Sequence, residues 1–293
     1  MPDRPGSTAA VDRVAELAGP DAVIEAVHPL AGGTHARTWL IRTAKPEREV
    51  VLREFPAGDE AASRETRVLT ALDGLGGLAP RLLASDTRPA AAPGPWVVIS
   101  RLPGRADITP AQPGGWARQL GRTLARIHAT PLEHLTGFPG ILERPGGSAA
   151  ALHGPAAALV AGQWNLLAGP PRVLTHYDFW SGNTVWDGGA LTGVVDWSGA
   201  GLGPPGFDVG WCRLDLYLLY GERIAGEFLD SYQAASGHAL PDPPLCDLWA
   251  AARSHRDVGN WVPNYRDLGR GDLTAAELRR RHRAWTGHLL AAR

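Results

Sequence analysis

Cysteine, lysine and methionine are nearly absent: 293 residues contain two, one and one of them. Cys212 and Cys246 have no metal-ligand spacing and are too few to suggest a disulfide framework. Cys212 falls in an apolar helical run, where a small buried thiol is expected. Charge of either sign is also lacking in excess, with 29 basic against 30 acidic residues and a formal net charge of −1. That balance provides no global field for a nucleic-acid backbone, so no nucleic-acid partner is expected. No apolar run approaches the roughly 18–20 residues that span a bilayer. The opening stretch MPDRPGSTAAVDRVAELAG holds acidic residues and no continuous apolar segment, so neither signal peptide nor membrane anchor is expected. The expectation is a cytoplasmic protein.

What is present is an ordinary globular composition, 44% hydrophobic and 20% charged, in a chain long enough for one large domain or two lobes. The most informative segment runs from Leu174 to Asp208, LTHYDFWSGNTVWDGGALTGVVDWSGAGLGPPGFD. Within it Asp178, Asn183 and Asp196 are separated by short β-rich runs at Arg172–Thr175, Thr184–Trp186 and Leu191–Val195. A carboxylate, a carboxamide and a second carboxylate at the ends of tight strands suit phosphoryl transfer. One carboxylate accepts a hydroxyl proton, and the other two groups hold Mg²⁺ against a nucleoside triphosphate.

The pattern before and after this segment differs. Ser7 is placed to cap a first helix with Val11, Val14 and Leu17 on one face. Strand-like segments follow at Ala22–Val27, Thr38–Arg42, Glu49–Glu54, Pro80–Ala84 and Trp96–Ser100, with one helix over Asp59–Leu72. They predict a five-stranded, mostly antiparallel sheet carrying one helix. LPGR at 102–105 reads as a connector. Beyond it the helical stretches are Gly115–Ala129, part of Ser148–Leu167, Phe207–Tyr220, Glu222–Ser236, Pro244–Val258 and Thr274–Ala292. The chain therefore reads as an α+β protein, with a β-rich lobe over 1–101 and a helical lobe over 102–293.

In this order the motifs resemble those of the aminoglycoside phosphotransferase and choline kinase family, which has the protein-kinase-like two-lobe fold. HYDFWSGN is similar to its catalytic loop, VVDW to its metal-binding strand, and GPPGFD to the turn that begins the next helix. The resemblance covers nearly the whole chain and is strongest over His176–Asp208. It implies Asp178 as catalytic base, Asn183 and Asp196 as Mg²⁺ ligands, and His176 as an internal brace of the loop. Asp208 would cap the helix at Phe207–Tyr220 while orienting the catalytic segment. Gly32, Gly33, Thr34 and His35 would form the loop over the nucleotide phosphates, with backbone N–H groups turned to anionic oxygens.

Protein kinases place a lysine on the third strand, paired with a helix glutamate. Here VVLREF places Arg53 there and RETRVL supplies Glu65, while the single lysine, Lys45, stands beside Pro46 at a hairpin tip. An arginine stays charged and forks onto phosphate or carboxylate, so the electrostatic role survives. WVVISRLPG resembles the strand and connector that meet the adenine edge through backbone groups, with Ser100, Arg101 and Leu102 as contacts.

The acceptor side is expected in the helical half, from Trp211, Asp215, Asp257 and Trp261, the last in the aromatic run GNWVPNY with Tyr265, where aromatic faces and carboxylates suit a sugar or amino-sugar. RRRHR at 279–283 reads as the exposed side of the last helix. The implied activity moves the γ-phosphoryl group of ATP or GTP to a hydroxyl of a small molecule: an aminoglycoside or other antibiotic, a sugar or an amino alcohol. The alternative, a nucleotide-binding pseudokinase acting as a regulatory module, needs a missing catalytic group, and Asp178, Asn183 and Asp196 are all present. A protein substrate is disfavoured, because Pro204–Asp208 leads almost directly into a helix and leaves little room for a peptide-docking segment.

Overall fold

The computed structural model describes residues 4–30, 36–88, 94–144, 147–237 and 240–293. It divides into two compact units, Met1–Gly104 with Thr192–Gly199, and Arg105–Leu191 with Ala200–Arg293.

In the first unit α1 (Thr8–Ala18) is followed by β1 (Val23–Pro29), β2 (Arg37–Ala44), β3 (Arg48–Glu54), α2 (Ala61–Leu72), β4 (Leu82–Asp86) and β5 (Trp96–Ser100). The strands form one antiparallel sheet in the order β1-β2-β3-β5-β4. Ser7 caps α1, its hydroxyl accepting from the Ala10 amide at 3.2 Å. Ala10 and Val14 of that helix pack on Trp39, Ile41, Leu52, Trp96 and Val98 of the sheet. Successive side chains of a strand point to opposite faces. With Leu52 committed to the α1 face, Arg53 is turned the other way, where it meets Glu65 of α2. Glu65 interrupts the buried stripe of α2, which is otherwise Ala61, Ala62, Val68, Leu69 and Leu72.

The second unit contains β6 (Arg105–Ala106), α3 (Pro113–His128), α4 (Ala157–Gly162), α5 (Trp164–Leu167), β7 (Val173–Thr175) and β8 (Thr184–Asp187). β9 (Ala190–Val194) then carries the chain into the first unit. The second unit resumes with β10 (Gly201–Gly203), α6 (Pro205–Tyr220), α7 (Glu222–Ser236), α8 (Pro243–Ser254), α9 (Val262–Asp267) and α10 (Ala275–Ala291). Its core gathers Phe207, Leu214 and Leu218 of α6, Leu245, Leu248 and Trp249 of α8, and Trp285 of α10. α6 and α8 approach closely because α6 lacks side chains at the crossing. A Cβ on Gly206 would lie 2.3 Å from the Cys246 sulfur, and one on Gly210 would lie 2.2 Å from the Cys246 carbonyl oxygen. Phe207 and Trp249 stack there with centroids 4.0 Å apart and planes 2° from parallel.

The units are not single stretches of chain. Thr192–Gly199, which the sequence reading leaves within 102–293, packs with the first unit. The Val194 amide donates to the Leu78 carbonyl at 2.7 Å, and the Thr192 hydroxyl donates to the Pro103 carbonyl at 2.6 Å. Asp196 therefore belongs to the same body as Arg53. Three further elements escape the sequence pattern: β6 and β10, which have two and three residues, and α9, which is read only as an aromatic run.

Candidate active site

The segment from His176 to Asn183 is held from beneath by one carboxylate. Asp208, fully buried on the first turn of α6, accepts from the amide of His176 at 2.7 Å and of Tyr177 at 2.6 Å. Tyr177 has φ 67°, a left-handed conformation that side chains other than glycine rarely adopt, and these two hydrogen bonds fix it there. His128 at the end of α3 completes the support. Its Nε2 lies 3.2 Å from Asp208 Oδ2, and its Nδ1 lies 2.9 Å from the Tyr232 hydroxyl. The expectation that Asp208 caps its helix is corrected: α6 starts at Pro205, its N-cap is Pro204, and no side chain caps it. Asp208 is turned across to the loop amides instead. His176 is buried, its ring edge set against Phe179 at 6.2 Å.

The loop presents Asp178 with both carboxylate oxygens oriented. Oδ1 accepts from the Trp211 indole N–H at 2.9 Å, and Oδ2 accepts from Asn183 Nδ2 at 3.1 Å. Asn183 Nδ2 also donates to the Asp178 carbonyl at 3.0 Å. Both partners are acceptors, so the nitrogen must face them and the carboxamide oxygen points away.

A third carboxylate lies one layer deeper. Asp215 accepts from the Ser181 amide at 3.1 Å and from the Tyr265 hydroxyl at 2.8 Å. Burial pushes its pKa up to about 6, the two hydrogen bonds opposing the rise and Asp178 adding to it. Asp215 was expected to meet an acceptor. It is only 3% exposed with both oxygens engaged, so it holds the turn between Asp178 and Asn183 instead.

In the first unit, Arg53 joins two carboxylates. Its Nη1 donates to Glu65 at 2.7 Å and its Nη2 to Asp196 Oδ1 at 2.8 Å. Asp196 Oδ1 also accepts from the Ser198 hydroxyl at 2.8 Å, and Asp196 has φ 63°. Burial works against the guanidinium charge, but Asp196 and Glu65 together outweigh it and hold the pKa above the usual arginine value. Burial lifts Glu65 to about 7 despite Arg53. Arg53 Nε and Glu65 Oε2 are buried and, among the described residues, have no hydrogen-bond partner. Unsatisfied groups of that kind cost about 1–3 kcal/mol each and mark a site retained for something other than stability.

The remaining expected residues are placed unevenly. Gly32, Gly33, Thr34 and His35 lie outside the described residues. Ser100 ends β5 with its hydroxyl accepting from the Arg81 amide at 2.8 Å. The Arg101 side chain is exposed and paired with Glu49, which leaves the expected contact to its backbone. The backbone amide and carbonyl of Leu102 have no partner among the described residues, which leaves them available to a base edge. Trp261 is half-buried with its ring 5.3 Å from that of Trp211. Asp257 is exposed. His128, Tyr232 and Ser181 were missed, and Tyr265 was read only as part of the aromatic run. Each acts through a contact to a residue 34 or more positions away, a separation at which local spacing carries no signal.

Residues 26–243 match the model of a family described as the phosphotransferase enzyme family. No curated protein sequence matches the chain. Among solved structures, the fold is similar to apo macrolide 2'-phosphotransferase MphH from Brachybacterium faecium. The identity is 22%, the TM-score 0.63, and 97% of this chain and 98% of that one are covered. An aminoglycoside-3'-phosphotransferase of type VIII is 18% identical with TM-score 0.60, covering 83% of this chain and 98% of the other. A thermostable variant of aminoglycoside phosphotransferase APH(4)-Ia, in ternary complex with ADP and hygromycin B, is 15% identical with TM-score 0.61. That match covers 96% of this chain and 98% of the other.

Proposed function

Since the chain belongs to the phosphotransferase enzyme family, we propose that it transfers the γ-phosphoryl group of ATP directly to a hydroxyl of a small molecule, with Asp178 as the base. The observation that carries this reading is the state of Asp178. Its two oxygens are aimed by Trp211 and Asn183, on a backbone that Asp208 holds in a left-handed turn. A carboxylate so fixed can receive a proton from an incoming hydroxyl without reorganising. As the hydroxyl oxygen attacks the γ-phosphorus, its proton passes to Asp178, and ADP leaves.

The donor atoms suit Mg²⁺, a hard cation that takes one or two protein oxygens together with substrate phosphates. Asn183 would supply the carboxamide oxygen turned away from Asp178, and Asp196 a carboxylate oxygen. Bound there, the ion would neutralise charge on the phosphates. Arg53 is the cation of the nucleotide side. Its fork is pre-set by Glu65, and release of Asp196 from Nη2 would free one N–H for a phosphate oxygen. Leu102 would offer its backbone groups to the adenine edge. Among the described residues no helix is long and apolar enough to cross a membrane, and the reading needs no membrane.

The test is nucleotide turnover with Mg²⁺-ATP and Mg²⁺-GTP across aminoglycosides, macrolides, sugars and amino alcohols, with Asp178→Asn as control. Acceptor-dependent ADP release that vanishes in the variant supports the reading. Full turnover in Asp178→Asn would remove Asp178 from the mechanism, and nucleotide binding without turnover on any acceptor would favour a regulatory pseudokinase.

A further inference from the structure

Near the proposed base sits an arginine with no carboxylate in ion-pair distance among the described residues. Arg253, in the last turn of α8, is half-buried among aromatic faces. Its guanidinium carbon lies 4.1 Å from the ring centroid of Tyr177, 4.5 Å from that of Trp211 and 5.4 Å from that of Trp249. One N–H donates to the Tyr177 carbonyl at 3.2 Å, the residue just before Asp178. Trp211, on whose face the cation rests, is the same indole that donates to Asp178. Arg253 is thus one ring away from the reacting carboxylate, with N–H groups left over.

Its surroundings share that sign. From Leu248 to Arg293 the chain has nine arginines against four carboxylates. Three of those carboxylates are already taken: Asp267 by Arg266, Asp272 by Arg270, and Glu277 by Arg280 and Arg281. Asp257 is exposed and, among the described residues, in no ion pair. Arg256, Arg279 and Arg283 are exposed and, among the described residues, have no carboxylate within ion-pair distance. Arg279 lies against Gly259, in the turn that leads to Trp261. Three further acids of the second unit are already engaged. Asp247 binds Arg213 through both oxygens at 2.8 and 3.0 Å, and Asp208 and Asp215 are buried on loop amides.

An acceptor with several ammonium groups needs several accessible carboxylates, and this region offers a surplus of guanidinium instead. We infer that Arg253 is a specificity-determining residue that selects acceptors by charge, favouring hydroxyl compounds that are neutral or anionic around the reacting hydroxyl over polycationic ones. This rests on the phosphotransferase reading of Asp178. The half-exposed rings of Trp211 and Trp261 supply an apolar face for such a molecule, while the cation clamped behind Trp211 penalises an ammonium group brought close to Asp178.

The experiment uses acceptors in charge-matched pairs, each amine against its N-acetyl derivative: kanamycin, hygromycin B, glucosamine and ethanolamine, with erythromycin as a single-cation member. Turnover is measured in the parent enzyme, and acceptor binding in Asp178→Asn loaded with Mg²⁺-ATP. The neutral members are expected to exceed their amines by about tenfold or more in kcat/KM or affinity. Arg253→Lys keeps the charge and should hold that ratio within about twofold. Arg253→Gln should bring it toward one, and Arg253→Glu should reverse it.

A role confined to packing would lower both members of each pair alike, so an unchanged ratio across Lys, Gln and Glu overturns the inference. A parent enzyme that prefers the polycations does the same, and so does one in which no neutral member binds better than its amine, silence across the panel included. Failure of the underlying reading is seen separately, as absence of Mg²⁺-ATP binding in the parent protein.

Discussion

The two halves of the machinery keep their charges in opposite ways. In the first unit, Arg53 stands between two carboxylates, and each charge is held by one of the other sign. In the second, Asp208 and Asp215 are held by backbone amides, an imidazole and a phenol hydroxyl, and Asp178 takes an indole and a carboxamide. Ion pairing keeps a cation on hand for an anionic ligand, which competes with a partner carboxylate for it. Neutral donors do something else: they fix where a carboxylate points while leaving its negative charge in place to draw a proton. In the proposed reaction one site binds phosphates and the other removes a proton, and the two tasks call for these different supports.

That contrast breaks most sharply at Asp178. Asp178→Asn keeps the shape but removes the base, and turnover is expected to fall by about a thousandfold or more while Mg²⁺-ATP affinity stays within a few-fold. Stopped-assay kinetics beside nucleotide titration check both numbers. Next comes Asp208→Asn, which keeps only one acceptor oxygen for the two amides of His176 and Tyr177. A loss of roughly 1–3 kcal/mol in unfolding free energy, read from urea melts, should accompany a drop in kcat of about a hundredfold. Unaltered kcat would mean that the left-handed turn at Tyr177 holds itself.

On the ion-paired side, Arg53→Lys preserves charge but cannot fork onto Glu65 and a second oxygen in the same geometry. KM for ATP should rise about tenfold with a smaller change in kcat. An equal fall in kcat would shift Arg53 from ground-state binding to the transition state.

A gentler test uses pH. Burial raises the Asp215 pKa from 3.8 to about 6. A carboxyl raised in the folded state contributes stability that is present below its unfolded value and lost as pH rises through the folded one. Between pH 4 and about 6 the stability difference should therefore move in favour of Asp215→Asn, by roughly 1–3 kcal/mol. Thermal melts of the two proteins across that window measure it, and a difference that stays flat would mean burial does not disfavour the charge. Least affected of all should be Asp257→Asn, exposed and unengaged, with kcat/KM within about twofold of the parent.

Much of this was legible from the chain itself. Alternation gave the strands that became β1 to β5, Ser7 marked the start of α1, and Phe207–Tyr220 falls within α6 two residues after its first turn begins. Asp178, Asn183 and Asp196 stood out because a short loop fixes their order and spacing. What failed was the assignment of jobs to residues on helices. Asp215 and Asp257 looked alike as isolated acids, yet one is buried beneath the loop and the other faces water. Helical spacing tells which residues share a face but not what that face meets.

The sequence by itself determined the α+β composition, the order of Asp178, Asn183 and Asp196 between short strands, the third-strand arginine and the helix glutamate, since each follows from periodicity or from neighbours a few residues apart. Tertiary structure alone decided that Asp196 packs with Arg53 across 143 residues, that Asp208 serves the loop and not its own helix, and that Arg253 lies against the rings of Tyr177 and Trp211. Those outcomes depend on which helix faces meet and how closely. Here two glycines of α6 set the distance to α8, and no local property of the residues concerned encodes it.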